Sequence, residues 1–195
     1  MKATEQLKAE HEGIKLILKV MERISNKLEM EKNFLPNDLK RIIEFMKLFV
    51  YKCHHSKEEK ILFPALEKAG IKNVDGPIEI ILNEHPISKL LLSNLEMSLN
   101  KFIDRESGSE ELVIKEIRNF ICLMNNHINK ENEILFLMAK KALSNERQEE
   151  LYFKLEEYEE RTVDSCKIEE FHNLLNEMKG RYLNTNSREE NFERK

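Results

Sequence analysis

The chain has 195 residues with 32 basic and 36 acidic side chains, so its formal net charge is −4. This length allows one domain with a sizeable core, and the acidic excess argues against a nucleic-acid surface. No segment approaches the roughly 18 consecutive apolar residues of a membrane span, and the first residues lack the apolar part of a secretion signal. Three cysteines without a CxxC pair favour a reducing compartment. We therefore expect a cytoplasmic protein without nucleic-acid or membrane partners.

Helix-breaking residues are few, with five glycines and four prolines, and apolar residues recur at helical spacing. Capping and turn signals divide the first part of the chain into four long predicted helices. The first spans about residues 4–31, and the second runs from the break at 36–38 to about residue 69. The third and fourth span about residues 77–105 and 109–143. Short loops between long amphipathic helices favour antiparallel neighbours. The predicted fold class is all-α, with an antiparallel up-down-up-down four-helix bundle over residues 1–143.

The chain after Ser144 has a higher charge density and a weaker apolar pattern. Two further helices are predicted over residues 144–183, as a helical extension that packs on the bundle or on a second copy of the chain. A homodimer is therefore left open. Residues 184–195 are polar and are predicted to form a flexible tail.

Two short motifs each occur twice, which indicates an internal repeat. The first is a Glu-His pair, and the second is His-x-x-Lys-Glu. They stand at Glu10-His11 and Glu84-His85, and at His54 to Glu58 and His127 to Glu131. The first two helices and the next two therefore resemble copies of one helical hairpin. Their association about a pseudo-twofold axis would bring the matching positions together.

Helical periodicity directs six of the repeated side chains towards the bundle interior. They are His11, His54, Glu58, His85, His127 and Glu131. An ionised carboxylate in an apolar interior is costly unless a cation compensates it. Lys57 and Lys130 cannot neutralise the glutamates directly, since one residue is about 100° around a helix.

A metal pair would compensate both glutamates. A histidine and a glutamate four residues apart share one helix face, about 5–6 Å from each other, so both can bind one site. Four imidazoles and two bridging carboxylates suit two ions. Nitrogen and oxygen donors without thiolate suit iron best here, with manganese or zinc as alternatives.

Other polar residues near these motifs receive weaker assignments. Glu10 and Glu84 are predicted to accept hydrogen bonds from imidazole N–H groups. His55 and Glu59 lie a helical step from the predicted ligand face, and we interpret them as surface or rim residues. His172, in the extension, is predicted to be solvated.

These motifs resemble the hemerythrin family in its HHE cation-binding form, over about residues 5–140. The resemblance rests on the two Glu-His pairs, the two His-x-x-Lys-Glu motifs with a following Leu-Phe, and Gly76-Pro77. It implies a left-handed four-helix bundle and an oxo- or hydroxo-bridged centre of two Fe ions. The implied ligands are the same six residues, His11, His54, Glu58, His85, His127 and Glu131.

The chain departs from the oxygen-carrying members of the family at Lys89, where they have a further histidine. Four histidines are therefore expected instead of five, which argues against reversible oxygen carriage. Pro86 directly follows His85 and is expected to kink the third helix.

The expected function is that of a hemerythrin-like di-iron protein that binds or handles oxygen, nitric oxide or peroxide, in sensing, scavenging or protection from oxidative stress. One alternative is a ferritin-like di-iron oxidase or peroxidase, although that class uses Glu-x-x-His pairs. Another is a non-catalytic interaction module that the metal stabilises, with residues 145–183 binding a partner. The sequence leaves open whether the protein is an enzyme.

Overall fold

The computed structural model describes residues 2–30, 34–162 and 165–184, without the side chains of 165–168. In these ranges the regular structure is entirely helical, with six helices. Four of them are α1 (Ala3–Glu29), α3 (Pro77–Ile103), α5 (Asn145–Thr162) and α6 (Ser165–Tyr182). The predicted all-α class is confirmed. The tail predicted at 184–195 lies, apart from its first residue, outside the described residues.

The other two helices, α2 and α4, change their winding along their length. In α2, α-helical Pro36–Phe45, His55–Lys57 and Phe63–Lys68 alternate with π-helical Met46–His54 and Glu58–Leu62. In α4, α-helical Ser109–Lys130 and Phe136–Ala142 flank π-helical Glu131–Leu135. Such π turns are uncommon and occur often at functional sites. Here they adjoin the two glutamates of the repeated motif.

Turn residues set the helix ends close to their predicted positions. Gly70 and Gly108 have φ of 90° and 74°, in the left-handed region that favours glycine, and each lies next to a helix end. Pro77 begins α3, where its missing N–H leaves no hydrogen bond unmade. Pro86 lies inside α3, which continues unbroken through it.

Side-chain contacts show the relative direction of neighbouring helices. Between α2 and α3, Lys47 pairs with Glu96, the Tyr51 hydroxyl donates to the Ser88 carbonyl, and Glu59 contacts His85. From one contact to the next the residue number rises on α2 and falls on α3, so the two helices run antiparallel. The pairs Arg118–Glu29 and Asn132–His11 show the same for α1 and α4.

Two apolar clusters fill the bundle on either side of a band of buried polar residues. The larger contains Ile14, Leu18 and Phe120, and the smaller contains Leu7 and Phe136. His11 lies between Leu7 and Ile14 on α1 and is fully buried. The polar band therefore crosses the bundle between the two apolar clusters.

Helices α5 and α6 pack on the outer side of α1 and α2. Arg41 of α2 makes a two-bond ion pair with Glu177, and Asp38 accepts hydrogen bonds from Arg181 and Tyr182. The extension thus contacts the bundle, as one of its two predicted arrangements requires. No helix in the described part of the chain is long and apolar enough to span a membrane.

Candidate metal centre

The structure brings the six predicted ligand residues together in the polar band. Each is at most 2% exposed, and they come from α1, α2, α3 and α4. Their donor atoms form two groups, in each of which the atoms lie within 4.8 Å of one another. The first group has His11, His54, Glu58 and Glu131; the second has His55, Glu58, His85 and His127. Glu58 is common to both groups.

The two glutamates lie between the groups and direct one oxygen towards each. Glu58 Oε1 is 3.7 Å from His54 Nε2, and its Oε2 is 3.7 Å from His85 Nε2. Glu131 Oε2 is 3.1 Å from His11 Nε2, and its Oε1 is 3.3 Å from His127 Nε2. This arrangement allows each carboxylate to bridge two ions.

The second group contains His55, and the prediction that this residue lies at the surface or rim is wrong. His55 is 1% exposed, and its ring stacks on that of His85 with centroids 3.8 Å apart. Its spacing to Glu58 could have revealed it, because residues three apart also share a helix face. The repeat concealed it, since the equivalent position on α4 is the apolar Ile128. Five imidazoles therefore face the centre, three in one group and two in the other.

Four of these imidazoles are held by a hydrogen bond at Nδ1 to a side-chain oxygen. The acceptors are Asn132 for His11 (2.9 Å), Glu10 for His54 (2.7 Å), Glu59 for His85 (2.6 Å) and Glu84 for His127 (3.0 Å). Glu10 and Glu84 thus accept imidazole hydrogen bonds, as predicted. Ionised carboxylates and the amide oxygen of Asn132 can only accept, so Nδ1 carries the proton and Nε2 turns a lone pair towards the centre. Sequence reasoning missed Asn132, which belongs to no repeated motif.

The centre contains buried polar atoms that lack hydrogen-bond partners among the described residues. Both oxygens of Glu58, Nε2 of His85 and both ring nitrogens of His55 have no hydrogen-bond partner among the described residues. His11 Nε2 and His54 Nε2 are 3.0 Å apart, although each presents a lone pair there. Converging lone pairs and negative charge at this separation require protons or cations between them. The donor set of nitrogen and oxygen therefore fits metal ions such as iron, manganese or zinc.

The pKa values of the two glutamates in the metal-free protein also indicate a cation site. Burial raises the pKa of Glu58 well above its usual range, and the neighbouring charge of Glu131 raises that pKa further. Burial also tends to raise the pKa of Glu131, but His127 and His11 outweigh it and lower that pKa. Without a cation, the pair of carboxylates is most stable with a proton on Glu58 and a charge on Glu131. A metal ion would take the place of that proton.

Lowering the pH from 7 to 5 should destabilise the metal-free protein. Burial lowers the pKa of His54, His55 and His85, the last to about 4, whereas imidazoles of the unfolded chain titrate near 6.5. Below pH 6.5 the unfolded chain therefore binds protons that the folded chain excludes. Each group lowers the free energy of unfolding by up to about 1.4 kcal/mol per pH unit. Glu58 has the opposite effect, because its raised pKa makes the folded chain bind a proton that the unfolded chain lacks. The three imidazoles together have the larger effect on the free energy of unfolding. Urea unfolding at pH 7, 6 and 5 measures the loss; an unchanged midpoint would contradict neutral imidazoles.

A buried lysine completes the surroundings of the centre. Lys57 is fully buried, and its Nζ lies 2.5 Å from both Glu10 Oε1 and Glu159 Oε2. Burial tends to lower the pKa of this lysine, but Glu10 outweighs it and raises the pKa. As predicted, Lys57 does not neutralise Glu58. It links Glu10, the hydrogen-bond acceptor of His54, to α5 through Glu159.

Comparison with known proteins agrees with this geometry. The family model of the hemerythrin HHE cation-binding domain matches residues 2–139. No curated protein and no solved structure matched the chain significantly. The matched range holds every residue of the two donor groups, and the bundle is entirely helical where it is described. The chain therefore belongs to the hemerythrin HHE cation-binding domain family.

Proposed function

We propose that the protein holds a di-iron centre that binds or handles a small ligand: oxygen, nitric oxide or peroxide. The observation that carries the proposal is the pair of buried carboxylates, Glu58 and Glu131, which direct one oxygen to each imidazole group without a protein cation between them. Manganese or zinc would satisfy the same charges. Iron is preferred because histidine and carboxylate ligands with open coordination positions are typical of non-haem iron sites.

The proposed ligands are the six predicted residues together with His55. One ion would be held by His55, His85 and His127, and the other by His11 and His54, with both glutamates shared. An ion beside His11 would have fewer protein donors, which would leave more room for a small exogenous ligand. When bound, the iron pair supplies Lewis acidity and electrons for such a ligand.

The surroundings of His11 and His54 suit a small neutral ligand. The Phe136 ring stacks on His11 with centroids 5.5 Å apart, and Leu7 lies in the same apolar cluster as Phe136. Both histidines are at most 1% exposed, which favours a diatomic molecule or peroxide over a larger substrate. The hydrogen bond from His54 Nδ1 to Glu10 fixes that ring towards the centre.

The fifth imidazole alters the functional expectation. Lys89 stands where oxygen carriers of the family have a histidine, and its Nζ lies over the Tyr51 ring at 5.7 Å. His55 restores the number of five from another helix. The objection to reversible oxygen binding that rested on Lys89 is therefore removed. Histidine dominance also sets this centre apart from the carboxylate-rich ferritin-like oxidases.

We also propose a cytoplasmic location. Cys53 and Cys122 are free thiols, one buried and one exposed. Burial raises the pKa of Cys53 to about 12, so this thiol is unreactive. Free cysteines are typical of proteins in reducing compartments.

The test is metal analysis combined with absorption spectroscopy of the full chain purified from iron-replete cells. Two irons per chain are expected, with a charge-transfer band that appears when oxygen or nitric oxide reaches the reduced anaerobic protein. His55→Ala should lose about one iron, whereas the exposed His172→Ala should keep both. Iron-free wild-type protein, or a spectrum that none of the three ligands changes, would contradict the proposal. Sustained peroxide turnover with a reductant would favour the enzymatic alternative instead.

A further inference from the structure

The internal repeat gives the bundle two equivalent outer faces, of which α5 and α6 cover one. On the covered face, formed by α1 and α2, Gln6 donates to Glu156 and Lys57 pairs with Glu159. Gly13 lies against Leu175 of α6. Through these contacts α5 and α6 shield the ion pair between Glu10 and Lys57 from solvent.

The equivalent face, formed by α3 and α4, has no such cover among the described residues. Aligning His11 with His85 and His54 with His127 matches Gln6 to Ile80, Gly13 to Ile87, and Lys57 to Lys130. Ile80 is 52% and Ile87 47% exposed, and the Lys130 side chain is 38% exposed, against 0% for Lys57. Within the described part of the chain, Lys130 pairs only with Glu84. The same repeated surface is thus closed on one side of the bundle and open on the other.

The open face carries six exposed large apolar side chains. Its exposed large apolar side chains are Ile80, Ile87, Leu90 and Met97 on α3, and Ile134 and Leu137 on α4. On α3 they follow one another at helical spacing with the uncharged Asn83 and Asn94 between them. Several exposed apolar side chains on one helix face indicate an interaction site.

The charges on α3 make this patch complementary to itself. Glu79 lies 11 residues before Leu90, and Lys101 lies 11 residues after it. At 1.5 Å per residue, each charge is about 16 Å from Leu90 along the helix. If two copies of α3 packed antiparallel with Leu90 at the twofold axis, each Glu79 would face the partner's Lys101. A twofold interface requires such self-complementarity.

We propose that the α3–α4 face binds the same face of a second copy of the chain. In this dimer the apolar stripe centred on Leu90 is buried, and two ion pairs of Glu79 with the partner's Lys101 fix the antiparallel register. The partner supplies to α3 and α4 the apolar cover that α5 and α6 supply to α1 and α2. The interface is independent of the metal, because none of its residues is among the proposed ligands.

Sedimentation of the full chain over a range of concentrations tests the proposal. Wild-type protein should show a monomer–dimer equilibrium, and Leu90→Glu should weaken it at least tenfold by placing two like charges at the axis. Phe153→Glu is the matched control, because Phe153 is 68% exposed on α5, away from this face. It should dimerise as the wild type does. Metal content and helical circular dichroism establish that each variant is folded.

Charge exchange tests the register. Glu79→Lys and Lys101→Glu should each dimerise several-fold more weakly than wild type, since each places like charges opposite each other. A mixture of the two variants restores both pairs and should dimerise as strongly as the wild type. A wild type that stays monomeric, a Leu90→Glu variant that still dimerises, or a mixture no stronger than its components would overturn the proposal. Binding of a different protein to this face by a monomeric chain would overturn it too.

Discussion

Glu58→Gln should reduce the metal content from two ions per chain to one or none and should stabilise the metal-free protein. The substitution keeps the shape of the side chain but removes the negative charge that both ions would share. In the absence of metal, the buried Glu58 oxygens have no hydrogen-bond partner in the described ranges, and burial favours the protonated form of Glu58 over the charged form. Glutamine is neutral without taking up a proton on folding, so the substitution should raise the free energy of unfolding of the metal-free protein by about 1–3 kcal/mol.

Elemental analysis and urea unfolding with and without metal measure the two effects. Glu67→Gln serves as control, because Glu67 is exposed on the same helix and should leave both quantities unchanged. Glu131→Gln should lower the metal content as Glu58→Gln does. A Glu58→Gln variant with two tightly bound ions would contradict a bridging role. A variant that is less stable than the wild type without metal would contradict the electrostatic account.

Lys57→Met should lower the free energy of unfolding by about 3–5 kcal/mol, because it leaves two carboxylates enclosed without their cation. Lys57 is a fully buried cation outside the donor groups, and its Nζ lies 2.5 Å from an oxygen of Glu10 and 2.5 Å from an oxygen of Glu159. The repeat offers a matched control in Lys130, which pairs with Glu84 but is 38% exposed. Lys130→Met should lower the free energy of unfolding by about 1 kcal/mol or less.

Urea unfolding of the metal-free proteins compares the two lysines. Adding Glu159→Gln to Lys57→Met should recover part of the loss, since one of the two unpaired charges is then absent. Equal effects of Lys57→Met and Lys130→Met would show that the extension does not shield the first pair. Full additivity of the Lys57 and Glu159 substitutions would show that the two residues do not interact.

Local patterns were sufficient to predict the helices and the inward faces. The predicted ends of the four long helices lie within two residues of those in the structure for α1, α2, α3 and α4. Helical periodicity depends only on the spacing of apolar residues, and capping depends on single residues, so both can be read from short stretches. The repeat added a long-range constraint because it related residues more than 70 positions apart.

Contacts across helices could not be predicted in this way. His55 occurs in only one copy of the repeat, and its burial depends on the stacking partner that α3 supplies. Asn132 and Glu159 carry no motif and acquire their roles from His11 and Lys57, which lie far away in the sequence. Each of these depends on which helices are neighbours and in what register.

The sequence by itself determined that the protein is helical, that it is built from a duplicated hairpin, and that six metal-type side chains point inward, because spacing along a helix fixes direction. Only the tertiary structure decided how those side chains divide between two groups, that a seventh joins them, and which half of the repeat is covered. The physical reason is that the donor atoms come from four helices and the cover comes from two more. Their distances follow from the packing of whole helices, which no short stretch of sequence encodes.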